Sequence, residues 1–265
     1  MVWVKICGIT NEDDALLATA LGADALGFVF APSRRQVDFD TVRDIVKRVP
    51  SEIITVGVFR NERPERVAEI VNRIGLHGAQ LHGEEPLSEV RWIRQRVQFV
   101  IQAFAAGDPR IHAAANGPAD ILLLDAKEPG SGSVFDWRLA ETVPGGVRLL
   151  LAGGLTPDNV QSAIDKVRPW GVDVSSGVEA GPGRKDPRKL RLFIEAAKAD
   201  ETDEFGEPIA KPPSGHAGHQ AGRQGGPLIG GIASPDAFVG RASTVESSPV
   251  GTETRPFNWE FDDER

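Results

Sequence analysis

The residues of this chain that could do chemistry stand where apolar runs end. Asp125 closes Ile121-Leu-Leu-Leu. A carboxylate there is costly to bury unless it is paired or protonated, so it is a candidate acid, with a helix cap or loop brace as the alternative. Cys7 closes the first run, just before Gly-Ile-Thr. Its thiolate would act as a base only if a positive field drew its pKa below the free value of about 8.5, and by position alone a small buried sulfur is the simpler reading. Two further runs leave through glycines and hydroxyls, at Gly153-Gly154 and at Ser175-Ser176-Gly177. Glycine lets backbone N–H groups approach a phosphate, and a following helix N-terminus adds a favourable field. Either turn alone reads equally well as a tight turn; together they read as a phosphate grip. Arg34 and Arg35 follow the second run and, like most paired loop arginines, read first as solvated. Gln80 and His82 end the fourth, where a histidine is most often a hydrogen-bonded structural residue. No His-x-His, Cys-x-x-Cys or acid cluster suggests a metal.

These residues need a scaffold that brings strand ends together. Apolar runs span 3–9, 25–31, 54–59, 78–82, 99–104, 121–125, 149–152 and 172–175, each nearly continuous rather than alternating, as strands buried on both faces require. Helix candidates lie between them at 11–21, 38–48, 63–74, 86–96, 136–143, 157–166 and 186–199, with a poorer one at 109–116. Asn11 before three acids, Thr156 before Pro157 and Asp186 before Pro187 read as helix starts. Val160, Ala163, Ile164 and Val167 recur at helical spacing and should face the strands. Eight strand-then-helix units predict a closed (β/α)8 TIM barrel, an α/β fold whose chemistry sits at the C-terminal ends of the strands and whose phosphate sites recur after strands seven and eight. An open doubly wound sheet also alternates strand and helix, but the first turn here lacks that fold's Gly-x-Gly-x-x-Gly.

Composition sets the remaining bounds. One cysteine in 265 residues excludes an intrachain disulfide framework and a cysteine-cluster metal site. No apolar run approaches the ~20 residues of a membrane helix, and the N-terminus lacks the pattern of a signal peptide, so a cytoplasmic protein is expected. The net charge is −8, and from residue 200 onward 12 acids face 5 bases. Residues 1–199 are therefore nearly neutral and read as the barrel, and 200–265 as a mostly disordered acidic tail too poor in apolar side chains to offset its ordering entropy. Neither part carries a basic stripe, which argues against nucleic acid. Three aromatics among acids at 256–265 could form a docking peptide for a partner, although a solubilising terminus is the simpler reading.

Taken jointly, Lys5-Ile-Cys-Gly-Ile-Thr, Gly27-Phe-Val-Phe, Val56-Gly-Val-Phe, Gln80-Leu-His-Gly, Phe135-Asp-Trp, Ala152-Gly-Gly-Leu-Thr-Pro-Asp-Asn-Val and Val172-Asp-Val-Ser-Ser-Gly-Val-Glu resemble the phosphoribosylanthranilate isomerase family, colinearly over 1–199. The resemblance implies an Amadori rearrangement of N-(5-phospho-β-D-ribosyl)anthranilate in tryptophan biosynthesis, with no metal or other cofactor and a small phosphorylated substrate as the partner. It implies Asp125 as general acid, Cys7 as general base, Arg35 on the anthranilate carboxylate, and Gly153, Gly154, Ser175 and Ser176 on the phosphate. His82 is placed beside the substrate, and a monomer or homodimer is expected. The related histidine-pathway isomerase performs the same rearrangement with an aspartate in the place of Cys7, and a retired, non-catalytic barrel would have no need of both Cys7 and Asp125. One stretch departs from the family. Glu128-Pro-Gly-Ser-Gly-Ser-Val replaces its usual Gly-Gly-(Ser/Thr)-Gly-Lys loop, and Pro129 stiffens the chain while removing a donor. The tail has no counterpart in the family's minimal barrel. Deleting 201–265 is therefore expected to leave turnover within about twofold of the full chain, measured with freshly made substrate; a large loss in a still-folded truncation would show that the tail helps build the site.

Overall fold

A computed structural model describes residues 2–125, 139–140 and 143–199. The departing loop at 128–134, Phe135-Asp-Trp, most of the candidate helix 136–143 and the tail from 200 lie outside the described residues. All eight expected runs form strands: β1 (Trp3–Cys7), β2 (Ala25–Val29), β3 (Ile54–Phe59), β4 (Gly78–Leu81), β5 (Phe99–Ala105), β6 (Ile121–Asp125), β7 (Leu149–Leu151) and β8 (Gly171–Val174). They pair in parallel in chain order, and β1 pairs with β8, so the sheet closes on itself. The outer ring is α1 (Glu12–Ala20), α2 (Phe39–Val46), α3 (Pro64–Ile74), α4 (Leu87–Arg94), the short α5 (Arg110–Ala114), α6 (Val160–Val167) and α7 (Pro187–Lys198).

Strand alternation divides the side chains between two environments. In β1, Val4 and Ile6 join Val172 and Val174 of β8 in the apolar cluster beneath the helices. Trp3, Lys5 and Cys7 alternate with them and face the barrel interior. The helices close over the outer face with buried rows such as Val67, Ile70, Val71 and Ile74 of α3.

Local chemistry sets the helix starts. Asn11 accepts a hydrogen bond from the Asp14 N–H (2.9 Å), and the Asp186 carboxylate accepts from the N–H groups of Arg188 and Lys189. The expected start at Thr156-Pro157 is corrected: α6 begins at Val160. The Asn159 amide accepts from the Thr156 N–H (2.8 Å) and donates to the Gly154 carbonyl (2.9 Å), folding those residues into a loop that must end before a helix can begin. The expected apolar face does form, with Val160, Ala163 and Ile164 buried and Val167 packed at the edge. A hairpin of β9 (Glu179–Gly181) and β10 (Arg184–Lys185), preceded by a single 3₁₀ turn at Ser176–Val178, was not foreseen.

Helix α7 lies beside α1 and α6 and covers the outside of the seam between β8 and β1. Phe193 is its fully buried anchor. Replacing Phe193 with Ala should destabilise the barrel by about 3–5 kcal/mol in denaturant unfolding, and a loss below about 1 kcal/mol would show that α7 does not hold the seam shut.

Candidate active site

The strand ends converge at one rim. A pocket there is lined by Asp125 from β6, Gly153 and Gly154 after β7, and Asp173, Ser175 and Ser176 at the end of β8. Gly153 (φ 85°) and Gly154 (φ 68°) both adopt the left-handed backbone that glycine tolerates without cost, and so turn the chain sharply out of β7. The two turns touch: a Cβ on Gly177 would lie 1.8 Å from the Leu155 carbonyl oxygen, a backbone atom that cannot step aside. The Ser175 hydroxyl is buried with no hydrogen-bond partner among the described residues. Five of the expected site residues, Asp125, Gly153, Gly154, Ser175 and Ser176, thus share one pocket.

His82 stands beside Asp125 and is not among the residues that line this pocket. Its Nε2 is 3.2 Å from Asp125 Oδ2, and its Nδ1 is 3.1 Å from the Gln80 amide nitrogen. With the amide donating to Nδ1, the neutral ring carries its proton on Nε2 and donates to the carboxylate. The chain Gln80–His82–Asp125 therefore orients the acid. Arg35 reaches the rim from the β2 side, with Nε and Nη2 donating to the two oxygens of Glu179 at 2.7 and 2.8 Å. Its fork is engaged, not solvated, which overturns the plain reading of a loose arginine pair. Among the described residues Arg34 makes no such contact, and it is exposed.

Cys7 is buried, but among charges. Lys5, two residues earlier on the same strand face, is fully buried, and its ammonium is 2.9 Å from Asp173 Oδ1. The β1–β8 register makes Lys5 and Asp173 direct neighbours. Lys185, on the hairpin, donates to the Cys7 carbonyl (2.6 Å), the Ser175 carbonyl (3.2 Å) and Glu179 Oε1 (3.1 Å). Burial pushes the Cys7 thiol up from its ordinary value; Lys5 and Lys185 pull it down, Asp173 adds to the rise, and burial prevails. The condition for a standing thiolate is therefore not met in the free protein. Burial also works against the Lys5 ammonium, but Asp173 and Cys7 beside it more than compensate and hold its pKa above the ordinary lysine value. Lys185 moves the other way, because burial outweighs the pull of Glu179. Sequence reasoning missed Lys5, Asp173, Glu179 and Lys185; the available signal was charge inside runs that must be buried on both faces.

Among the described residues, no group of three or more His, Cys, Asp or Glu could hold a metal ion, and no helix is long and apolar enough to cross a membrane. A closed eight-stranded parallel barrel with an acid, a thiol and two glycine turns at its C-terminal rim defines a (β/α)8-barrel enzyme. Its family is N-(5'-phosphoribosyl)anthranilate isomerase, whose model matches residues 4–196, and the chain belongs to it. A relative of that name from Desulforudis audaxviator is 50% identical over 205 residues, spanning 75% of this chain and 98% of its own. The crystal structure of phosphoribosyl anthranilate isomerase from Thermotoga maritima superposes with a TM-score of 0.68 at 46% identity, over 75% of this chain and 99% of that one. A further phosphoribosyl anthranilate isomerase, 44% identical with a TM-score of 0.66 and the same coverage, is solved in complex with reduced 1-(o-carboxyphenylamino)-1-deoxyribulose 5-phosphate.

The raised thiol pKa has a direct readout. Because the neutral form is favoured, the thiolate fraction at neutral pH is smaller than for a free cysteine. Alkylation by iodoacetamide should therefore keep accelerating beyond about pH 8.5, the ordinary midpoint. A plateau reached below about pH 8 would contradict the burial argument.

Proposed function

We propose that this rim carries out the family's isomerisation, with Asp125 as general acid and Cys7 as general base. The substrate is N-(5-phospho-β-D-ribosyl)anthranilate. Asp125 donates a proton to the furanose ring oxygen as the C1–O bond breaks, leaving an iminium between C1 and the anilino nitrogen. The iminium acidifies the adjacent C2–H, and the Cys7 thiolate removes that proton to give an enolamine. Tautomerisation then moves a proton from the C2 hydroxyl to C1 and yields 1-(2-carboxyphenylamino)-1-deoxy-D-ribulose 5-phosphate. Atoms balance without an external oxidant or reductant. The cationic intermediate adds to the field of Lys5 and Lys185 and favours loss of the thiol proton to solvent; Cys7 regains a proton from C2, and Asp125 takes one back from solvent to close the cycle.

One observation carries the reading: Asp125 opens into the same pocket as the two abutting turns, Gly153-Gly154 and Ser175-Ser176. A 5'-phosphate held by their backbone N–H groups anchors the sugar so that its ring lies before the acid. His82 braces Asp125 through its Nε2. Arg35 is assigned to the anthranilate carboxylate, where a planar fork suits two oxygens; Glu179 fixes its plane until substrate arrives. A relative solved in complex with reduced 1-(o-carboxyphenylamino)-1-deoxyribulose 5-phosphate supports the substrate class. The substrate and product are phosphorylated anions that do not cross membranes, so the enzyme shares the cytoplasm with the reactions that supply and consume them. A homodimer or a monomer serves this mechanism equally, because every assigned residue comes from one chain.

Cys7→Ser and Asp125→Asn should each lower kcat by about 10²-fold or more while leaving thermal unfolding nearly unchanged, followed by the loss of substrate fluorescence. Wild-type rates in both folded variants would remove the acid–base assignment.

A further inference from the structure

Lysine is among the residues least often fully buried, yet Lys5 is 0% exposed in the middle of β1. Asp173 satisfies it at 2.9 Å. Stability gives no reason for such a pair, since well-packed hydrophobic residues of similar volume are commonly as stable or more so. The surroundings supply a different reason. Gly27 is the β2 register partner of Cys7, and the point where its Cβ would stand is 2.9 Å from Cys7 Sγ and 3.0 Å from Lys5 Nζ. Sulfur and ammonium occupy the space that a side chain on β2 would fill. The Lys5 ammonium therefore lies close enough to the sulfur to favour its anion, opposing the effect of burial.

We propose that Lys5 is the positioning residue of the catalytic thiol: its ammonium, aimed and kept charged by Asp173, is the counter-cation that the Cys7 sulfur meets when it becomes an anion. The proposal rests on Cys7 as the base. Asp173 has two opposed effects in this arrangement. It holds Lys5 in place in a medium where a lone ammonium would be unstable, and it competes with sulfur for the same positive charge. The other charges near the sulfur are Lys185 of β10, whose Nζ is committed to Glu179 and two carbonyls, and Arg35, which is committed to Glu179. Of the cations around Cys7, Lys5 is the one whose paired carboxylate, Asp173, lines the pocket.

The opposed roles of Asp173 yield effects of opposite sign that a merely structural pair would not produce. Cys7 is the single cysteine and the chain has no tyrosine, so thiolate absorbance in the ultraviolet and iodoacetamide alkylation both report Cys7 without interference. The test uses the full chain. In Asp173→Asn, Lys5 keeps its charge and loses its competing anion, so the thiolate fraction at neutral pH should rise by about tenfold. In the Lys5→Met/Asp173→Asn double variant, which leaves no buried unpaired charge, the fraction should fall at least about tenfold below that of Asp173→Asn, and kcat should drop while KM changes little. Lys5→Arg, which restores a cation at the same strand position, should recover part of the thiolate signal. Thiolate fractions equal in Asp173→Asn and the double variant, or a fall in Asp173→Asn, would overturn the proposal, as would a loss of kcat with no movement of the thiol. Cys7→Ser separates the two levels. If it retained turnover, the base assignment would fail, while the thiol titration would still decide whether Lys5 governs the sulfur.

Discussion

The seam where β1 meets β8 decides what this rim can do. Parallel pairing sets Lys5 beside Asp173 and brings the Cys7 and Ser175 ends of the two strands side by side. Lys185 then bonds both strand-end carbonyls with one ammonium. A slip of β1 by one residue would send Lys5 and Cys7 to the face beneath the helices and bring Val4 and Ile6 inward, so the fold and the chemistry are specified by the same alternation. The hairpin after β8 reads as decoration in the topology, yet it supplies Glu179 and Lys185, and through Glu179 it reaches across to Arg35.

The charges at this rim form two chains. Lys5–Asp173 leads from the sulfur towards the substrate pocket, and Arg35–Glu179–Lys185 runs around its edge. Each anion touches a cation, so no described member of these chains stands as an uncompensated buried charge. Glu179 is held below the ordinary carboxylate range: burial alone would raise it, but Arg35 and Lys185 prevail. The rim can thus hold many ionised groups in a half-dry cleft, where each acts more strongly on a bound sugar than it would in water.

The barrel was legible in the sequence because strands buried on both faces cannot alternate with polar residues, and eight such runs leave little else to build. The Gly153-Gly154 turn was legible for a related reason, since consecutive glycines at a strand exit imply a turn that other residues cannot make. Helix α6 was misplaced because Asn159 folds the preceding residues with its side chain, a choice that capping preferences cannot rank against Thr156. The rim charges were harder. Lys5 sits in a run counted as apolar, and nothing in one sequence says whether such a lysine is buried until its register partner is known. Arg35 looked like a loop residue because Glu179, its partner, lies 144 positions away.

The same seam explains why sulfur suits position 7. The adjacent carboxylate, Asp173, already claims the Lys5 ammonium, and Lys185 is committed to Glu179. A second carboxylate at position 7 would place two permanent anions on one cation in a site from which water is largely excluded, and one of them would have to be protonated or unpaired. A thiol avoids that conflict because its neutral form costs little to bury and its charge appears only when a cation joins it. Ring opening creates such a cation on the substrate. In the proposed mechanism the thiolate is scarcest in the resting barrel and becomes more populated as the iminium forms, which ties proton removal to the step before it.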